Sequence, residues 1–169
     1  PSSAQQISQN QLVLDLKSIG VWSKLDVLFI GRGDGDLNFK SMNWISTGAI
    51  FSGLSVMLGA MGAHSLKNIL TEKNLSAFQT ATDYMGYHGL ALILVGIVSL
   101  QLSDNGAKAL RKVGILFSVG ILMFSGSIYI LISDGPRFFG PVTPLGGLCF
   151  ILGWFIFAGV IIKYFKNNS

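Results

Sequence analysis

Charged residues are missing from four long stretches of the chain. Ser41–Leu66, Tyr84–Ser103, Val113–Ser133 and Phe138–Ile162 hold no Asp, Glu, Lys or Arg, over 26, 20, 21 and 25 residues. A helix needs about 20 mostly apolar residues to cross about 30 Å of hydrocarbon. The pattern therefore predicts an all-α integral membrane protein, a bundle of four transmembrane helices spanning about 43–63, 85–103, 113–133 and 144–163. Apart from Lys163, the last residue of the fourth, no charged residue falls within these expected spans. The longest polar connection is Ser65–Asp83, in which Leu75, Phe78 and Thr82, continued by Met85 just beyond it, recur at helical spacing and Asn74 is placed to cap. That spacing predicts an amphipathic interfacial helix, lying at the membrane surface and leading into the second span.

Composition agrees. Only 12% of the 169 residues are charged, against about 25% in soluble domains, and the mean hydropathy is +0.57. The net charge of +4 does not point to nucleic acid, because the basic residues are scattered at the ends of spans and form no patch interleaved with aromatics. The lipid bilayer is the partner this composition demands. The single cysteine, Cys149, lies inside the last apolar run and reads as a small packing residue.

Residues 1–41 differ from the remainder. Their glutamine-rich start, the mixed run Val21–Ile30 and the turn Gly31–Asp36 read as an N-terminal extension of uncertain origin, and 42–169 as the transmembrane domain. In the extension Asp34, Asp36 and Asn38 imitate the start of a calcium loop, but Phe39 and Ile45 stand where its glycine and glutamate belong.

Lys and Arg set the orientation. With four spans the termini and the middle connection share one side, which carries Lys40, Lys108, Arg111, Lys112, Lys163 and Lys166, together with Lys17, Lys24 and Arg32. The other side holds only Lys67, Lys73 and Arg137. Both termini are expected in the cytoplasm, with the protein in a bacterial inner membrane.

Helix contacts should follow small residues, because lipid offers little hydrophobic drive between helices and close backbone approach takes its place. Span one carries Gly48 and Ser52, then Ser55, Gly59 and Ala63, at four-residue intervals; span three carries Gly114 and Ser118, then Ser125, Gly126 and Ser127. Helices are expected to touch along these stripes, within the chain or in a homo-oligomer or a larger membrane complex.

Candidate chemistry is sparse. His64 and His88 are the only histidines and fall at the end of span one and the start of span two, hence on the same, non-cytoplasmic face. Three readings stand for them: interfacial hydrogen bonding, a proton or ligand site, and a metal or haem site. Tyr84 and Tyr87 suit an aromatic belt, and Tyr129 can reach the same interface. Thr143 can cap the last helix with Pro144 at its first position. No spacing reveals a nucleophile with its base, and no motif indicates a cofactor.

Taken in order, Gly59-Ala-Met-Gly-Ala-His64, Phe78, Ala81, Tyr84, Tyr87-His88, Phe124-Ser-Gly-Ser-Ile-Tyr129 and Thr143-Pro-Leu-Gly-Gly147 form a recognisable pattern. Over about Met42–Lys166 the chain resembles the family catalogued as domain of unknown function 423, which includes small bacterial inner-membrane proteins and the eukaryotic transmembrane protein 256. The resemblance implies a four-helix membrane protein and places His64, Tyr84, His88, Ser125, Tyr129, Thr143 and Pro144 at motif positions. No catalytic role transfers with them. The leading expectation is a non-enzymatic accessory or assembly subunit. The alternative is a small-solute or proton channel or transporter with His64 and His88 at its outer mouth.

Overall fold

The computed structural model describes residues 35–165, and the readings made above for the head of the chain before Gly35 lie outside the described residues. Among the described residues four α-helices and two short 3-10 turns follow one another: α1 (Gly35–His64), a turn at Leu66–Asn68, α2 (Glu72–Ser99), α3 (Asp104–Ile132), a turn at Arg137–Phe139, and α4 (Val142–Phe165). Among the described residues there is no strand. All four helices are long and apolar enough to cross a membrane. The molecule is an all-α membrane protein.

Local chemistry explains most of the boundaries. α2 starts at Glu72 because Thr71 adopts an extended conformation and its Oγ1 accepts from the Asn74 amide at 3.3 Å. Glu72 in the first turn then complements the positive end of the helix dipole. The cap expected at Asn74 therefore sits three residues earlier. α3 ends where Asp134 takes the left-handed conformation (φ 58°). The Gly135 amide then folds back onto the Ile130 carbonyl at 2.9 Å, closing the helix in a Schellman-type turn.

One expectation changes character. The amphipathic segment before the second span is the first three turns of α2 itself, with no break before the apolar part. Its apolar side, Phe78, Ala81 and Met85, is buried against neighbouring helices and does not rest on a membrane surface. At 28 residues, α2 is about 42 Å long, more than the hydrocarbon requires.

Two antiparallel registers organise the bundle. α1 runs against α2 so that Gly62 faces Phe78, Ser55 faces Gly86, Ser52 faces Gly89 and Ile45 faces Gly96. α3 runs against α4 so that Ser127 meets Thr143, Phe124 meets Gly146, Gly120 meets Phe150 and Phe117 meets Gly153. The two hairpins join along α2 and α3, whose side chains Leu92, Val95, Leu110, Val113, Phe117 and Ile121 form the centre of the core. α2 is the most buried helix and α1 the least. The outward faces carry Ile50, Val56, Met57, Leu90, Leu122 and Phe155, all exposed as a lipid-facing surface requires.

The small-residue stripes behave unequally. Gly48, Ser52 and Ser55 do pack, and their partners are on α2, chiefly its glycines Gly86 and Gly89. A Cβ at Gly89 would stand 2.9 Å from the Ser52 amide nitrogen, and one at Gly48 only 2.8 Å from that of Ile93. At Gly59 the nearest atom to an added Cβ is Thr82 Cγ2 at 3.9 Å, so that end of the stripe is loosely filled. Gly126, expected at a helix contact, has nothing within 4 Å of an added Cβ. It faces outward, while Ser125 and Ser127 on either side of it are buried.

Candidate functional site

His88 lies sixteen residues into α2, about 24 Å along its axis. This corrects the placement of His88 at the beginning of a span and at an outer mouth, because the helix that carries it begins at Glu72. The ring is 5% exposed and lies flat against Phe150, with centroids 3.5 Å apart and planes 13° from parallel. Phe117 presents its edge at 5.4 Å, Tyr84 stacks at 5.9 Å and Trp154 closes the far side at 6.2 Å.

Both ring nitrogens are occupied. Nδ1 is 2.8 Å from the Tyr84 carbonyl, which can only accept. Nε2 is 3.2 Å from the indole nitrogen of Trp154, which can only donate. These two partners assign the neutral ring with its proton on Nδ1. A ring held in this way has no lone pair left for a metal and no proton to hand on without breaking one of these bonds.

His64, by contrast, is the exposed last residue of α1. The α1–α2 register sets it near the beginning of α2, so about 16 Å of helix axis separates the histidines. They do not form one site. Among the described residues no three of His, Cys, Asp and Glu are grouped for a metal ion.

The other motif residues form hydrogen-bonded ties between helices on one side of His88. Ser125 of α3 donates to the Ala81 carbonyl of α2 at 2.7 Å. Thr82 donates to the Phe78 carbonyl at 2.8 Å, which leaves its oxygen to accept from the Tyr129 hydroxyl at 2.9 Å. Tyr129 packs its ring on Phe78 at 5.3 Å, so it ties α3 to α2 and is not simply an interfacial anchor. Ser127 and Thr143 join α3 to α4 at 2.6 Å. Thr143 therefore crosses to another helix where a helix cap was expected, and the exposed Pro144 lies inside the first turn, after Val142. Tyr84 is 40% exposed but leans on Phe124 at 4.9 Å.

Sequence reasoning missed Phe117, Phe150 and Trp154. A signal was present: Phe150 and Trp154 stand four apart on α4, as Tyr84 and His88 do on α2, and side chains four apart share a helix face. A tryptophan in mid-span needs an acceptor for its N–H, and His88 is the side chain that supplies one.

A second feature lies on the outside of the bundle. An open groove of about 380 Å³ runs between α1 and α2, lined among others by Ser52, Ser55, Gly59, Thr82, Asp83 and Tyr87. The Oγ of Ser52 is buried there without a hydrogen-bond partner, and Ser55 donates to the Ser52 carbonyl at 3.0 Å. Asp83 corrects the expectation that no charged residue falls within the second span. The apolar run begins at Tyr84, but the spanning helix begins eleven residues before Asp83.

Comparison with known proteins agrees with this architecture. The family model described as "Protein of unknown function (DUF423)" matches residues 58–147. The UPF0382 membrane protein of Staphylococcus haemolyticus is 42% identical over 123 residues, covering 73% of this chain and 95% of the relative. That of Staphylococcus saprophyticus is 43% identical over 123 residues, with 97% of the relative covered. The UPF0382 membrane protein YwdK of Bacillus subtilis is 39% identical over 121 residues, covering 72% of this chain and 97% of the relative. No solved structure matches. With half of its length matched by the family model and relatives covered almost end to end, the chain belongs to the DUF423 family of membrane proteins, the family to which the UPF0382 proteins of Staphylococcus and Bacillus are its relatives.

Proposed function

We propose that the chain is a non-enzymatic accessory or assembly subunit of a bacterial cytoplasmic membrane, with both termini on the cytoplasmic side. The observation that carries this reading is the plug around His88. Phe117 and Phe150 fill the middle of the bundle about a ring whose two nitrogens are both bonded, the second by the partly exposed Trp154. A solute or proton path through the bundle would have to break that plug. What the chain offers instead is outer surface: α1 leans on α2 through glycines and serines and leaves a groove beside them. Small-residue faces of this kind are how helices associate in lipid. The orientation rests on nine Lys and Arg on the side of the termini against three on the other.

Native mass spectrometry of the chain, extracted gently from its own membrane, tests the reading. A second protein at fixed stoichiometry is the expected result. A lone chain or homo-oligomer holding a small molecule, or solute flux in proteoliposomes above empty vesicles, would overturn it in favour of a channel or transporter.

A further inference from the structure

We infer that the α1–α2 groove docks a transmembrane helix of another protein, one that presents a Lys or Arg side chain to Asp83. The inference rests on the subunit reading and gives it a surface and a chemistry. Its foundation is the depth of Asp83. The α1–α2 register puts Asp83 level with Leu58, nine residues from Lys67, the next charge on that side of α1. The Ser125–Ala81 bond puts it level with Met123 of α3, eleven residues from Asp134. Through the contact of Gly146 with Phe124 it lies level with Gly147 of α4, ten residues from Arg137. Along α3 Asp83 is therefore about 15 Å deeper than the first charge at that end, and along α1 and α4 it lies about 9 and 7 Å inside the helix ends, with Lys67 and Arg137 in the turns beyond. Its own helix repeats the longer distance, since Lys73 is ten residues away.

A carboxylate at such a depth is costly and ordinarily pairs with a cation or faces a polar cavity. Asp83 is exposed on the groove, and no Lys or Arg of the four apolar stretches stands at its level. A second copy in the same orientation would bring the same charge-free levels and a second carboxylate, so charge complementarity selects a different protein. The remaining lining fits a helix. Gly59, where an added Cβ would meet nothing nearer than Thr82 Cγ2 at 3.9 Å, permits close approach of a backbone.

The test places the full chain in proteoliposomes with single-span Leu/Ala peptides carrying Lys, Leu or Glu about 7 Å from the midplane, five residues of helix rise, and reads association by energy transfer. The Lys peptide should bind at least tenfold more tightly than the Leu peptide. Asp83→Asn should remove that preference, Asp83→Glu should keep it, and Asp83→Lys should transfer it to the Glu peptide. Equal binding of the Lys and Leu peptides, or a preference that survives Asp83→Asn with helix content unchanged, would overturn the inference. So would self-association between two labelled populations of the chain that Asp83→Asn abolishes, because the occupant would then be a second copy. The two proposals fail separately. A partner from the native membrane without any Lys preference sinks the docking chemistry alone, and a preference for Lys in a chain that leaves its membrane unaccompanied sinks the subunit reading alone.

Discussion

The indole N–H of Trp154 points at Nε2 of His88 across 3.2 Å, joining α4 to α2 near the middle of the bundle. The opposite ring nitrogen is bound to the Tyr84 carbonyl of the same helix. One imidazole thereby connects two helices and fixes its own tautomer. Trp154→Phe should leave Nε2 without a partner among aromatic rings and destabilise the bundle by about 0.5–2 kcal/mol. Reversible unfolding in mixed detergent measures the loss. Nitrogen-15 spectra of His88 should show the proton on Nδ1 in the parent and a shifted Nε2 resonance in the variant; an unshifted resonance would mean the indole bond is not formed.

Glycine positions that look alike along the sequence should respond differently. Gly48→Ala forces a methyl group to within 2.8 Å of the Ile93 amide nitrogen, and overpacking of this kind costs about 1–3 kcal/mol. Gly126→Ala meets nothing and should be neutral or stabilising by up to about 1 kcal/mol through helix propensity. Gly59→Ala touches only Thr82 Cγ2 at 3.9 Å and should leave the stability of the isolated chain within about 0.5 kcal/mol. Thermal unfolding of the three variants side by side would check the order, and equal losses at Gly48 and Gly126 would contradict the register.

The Tyr129–Thr82 bond is open to a double-mutant cycle. Tyr129→Phe and Thr82→Val each remove one hydroxyl from a pair 2.9 Å apart. Their coupling should be about 0.5–2 kcal/mol, the usual range for a hydrogen bond between helices in a membrane. A coupling of zero would show that the Thr82 bond to the Phe78 carbonyl is sufficient without Tyr129.

Orientation has its own measurement. In a Cys149→Ser background, Asn68→Cys reports the α1–α2 connection and Asn105→Cys the start of α3. If the termini are cytoplasmic, an impermeant maleimide should label position 68 in intact cells and position 105 only after lysis. The reverse pattern would invert the proposed topology.

The four spans were legible from charge alone because hydrocarbon excludes charge along whole segments, and a segment is a property of sequence. The family was legible too, from short motifs in order along the chain. Harder to see was where a helix starts: the last charge before an apolar run, Asp83, was read as its boundary, although α2 continues inward from Thr71. The start of a helix is set by a cap and its depth by neighbouring helices, and an apolar count sees neither. The same error moved His88 from mid-helix to an interface and joined it with His64. Thr143 was read as a cap because its spacing before Pro144 permits one; only the arrival of Ser127 on α3 gives its hydroxyl a different partner.

By itself, then, the sequence determined that this is a four-span helical membrane protein and to which family it belongs, since both are written in the order of residues along one chain. Tertiary structure alone decided which faces meet: Gly89 against Ser52, Trp154 against His88, Gly126 outward, and Asp83 below the charges of its neighbours. The physical reason is that interhelical register in lipid depends on close packing and a few hydrogen bonds between residues distant in sequence. Periodicity within a single helix carries no record of which partner stands opposite.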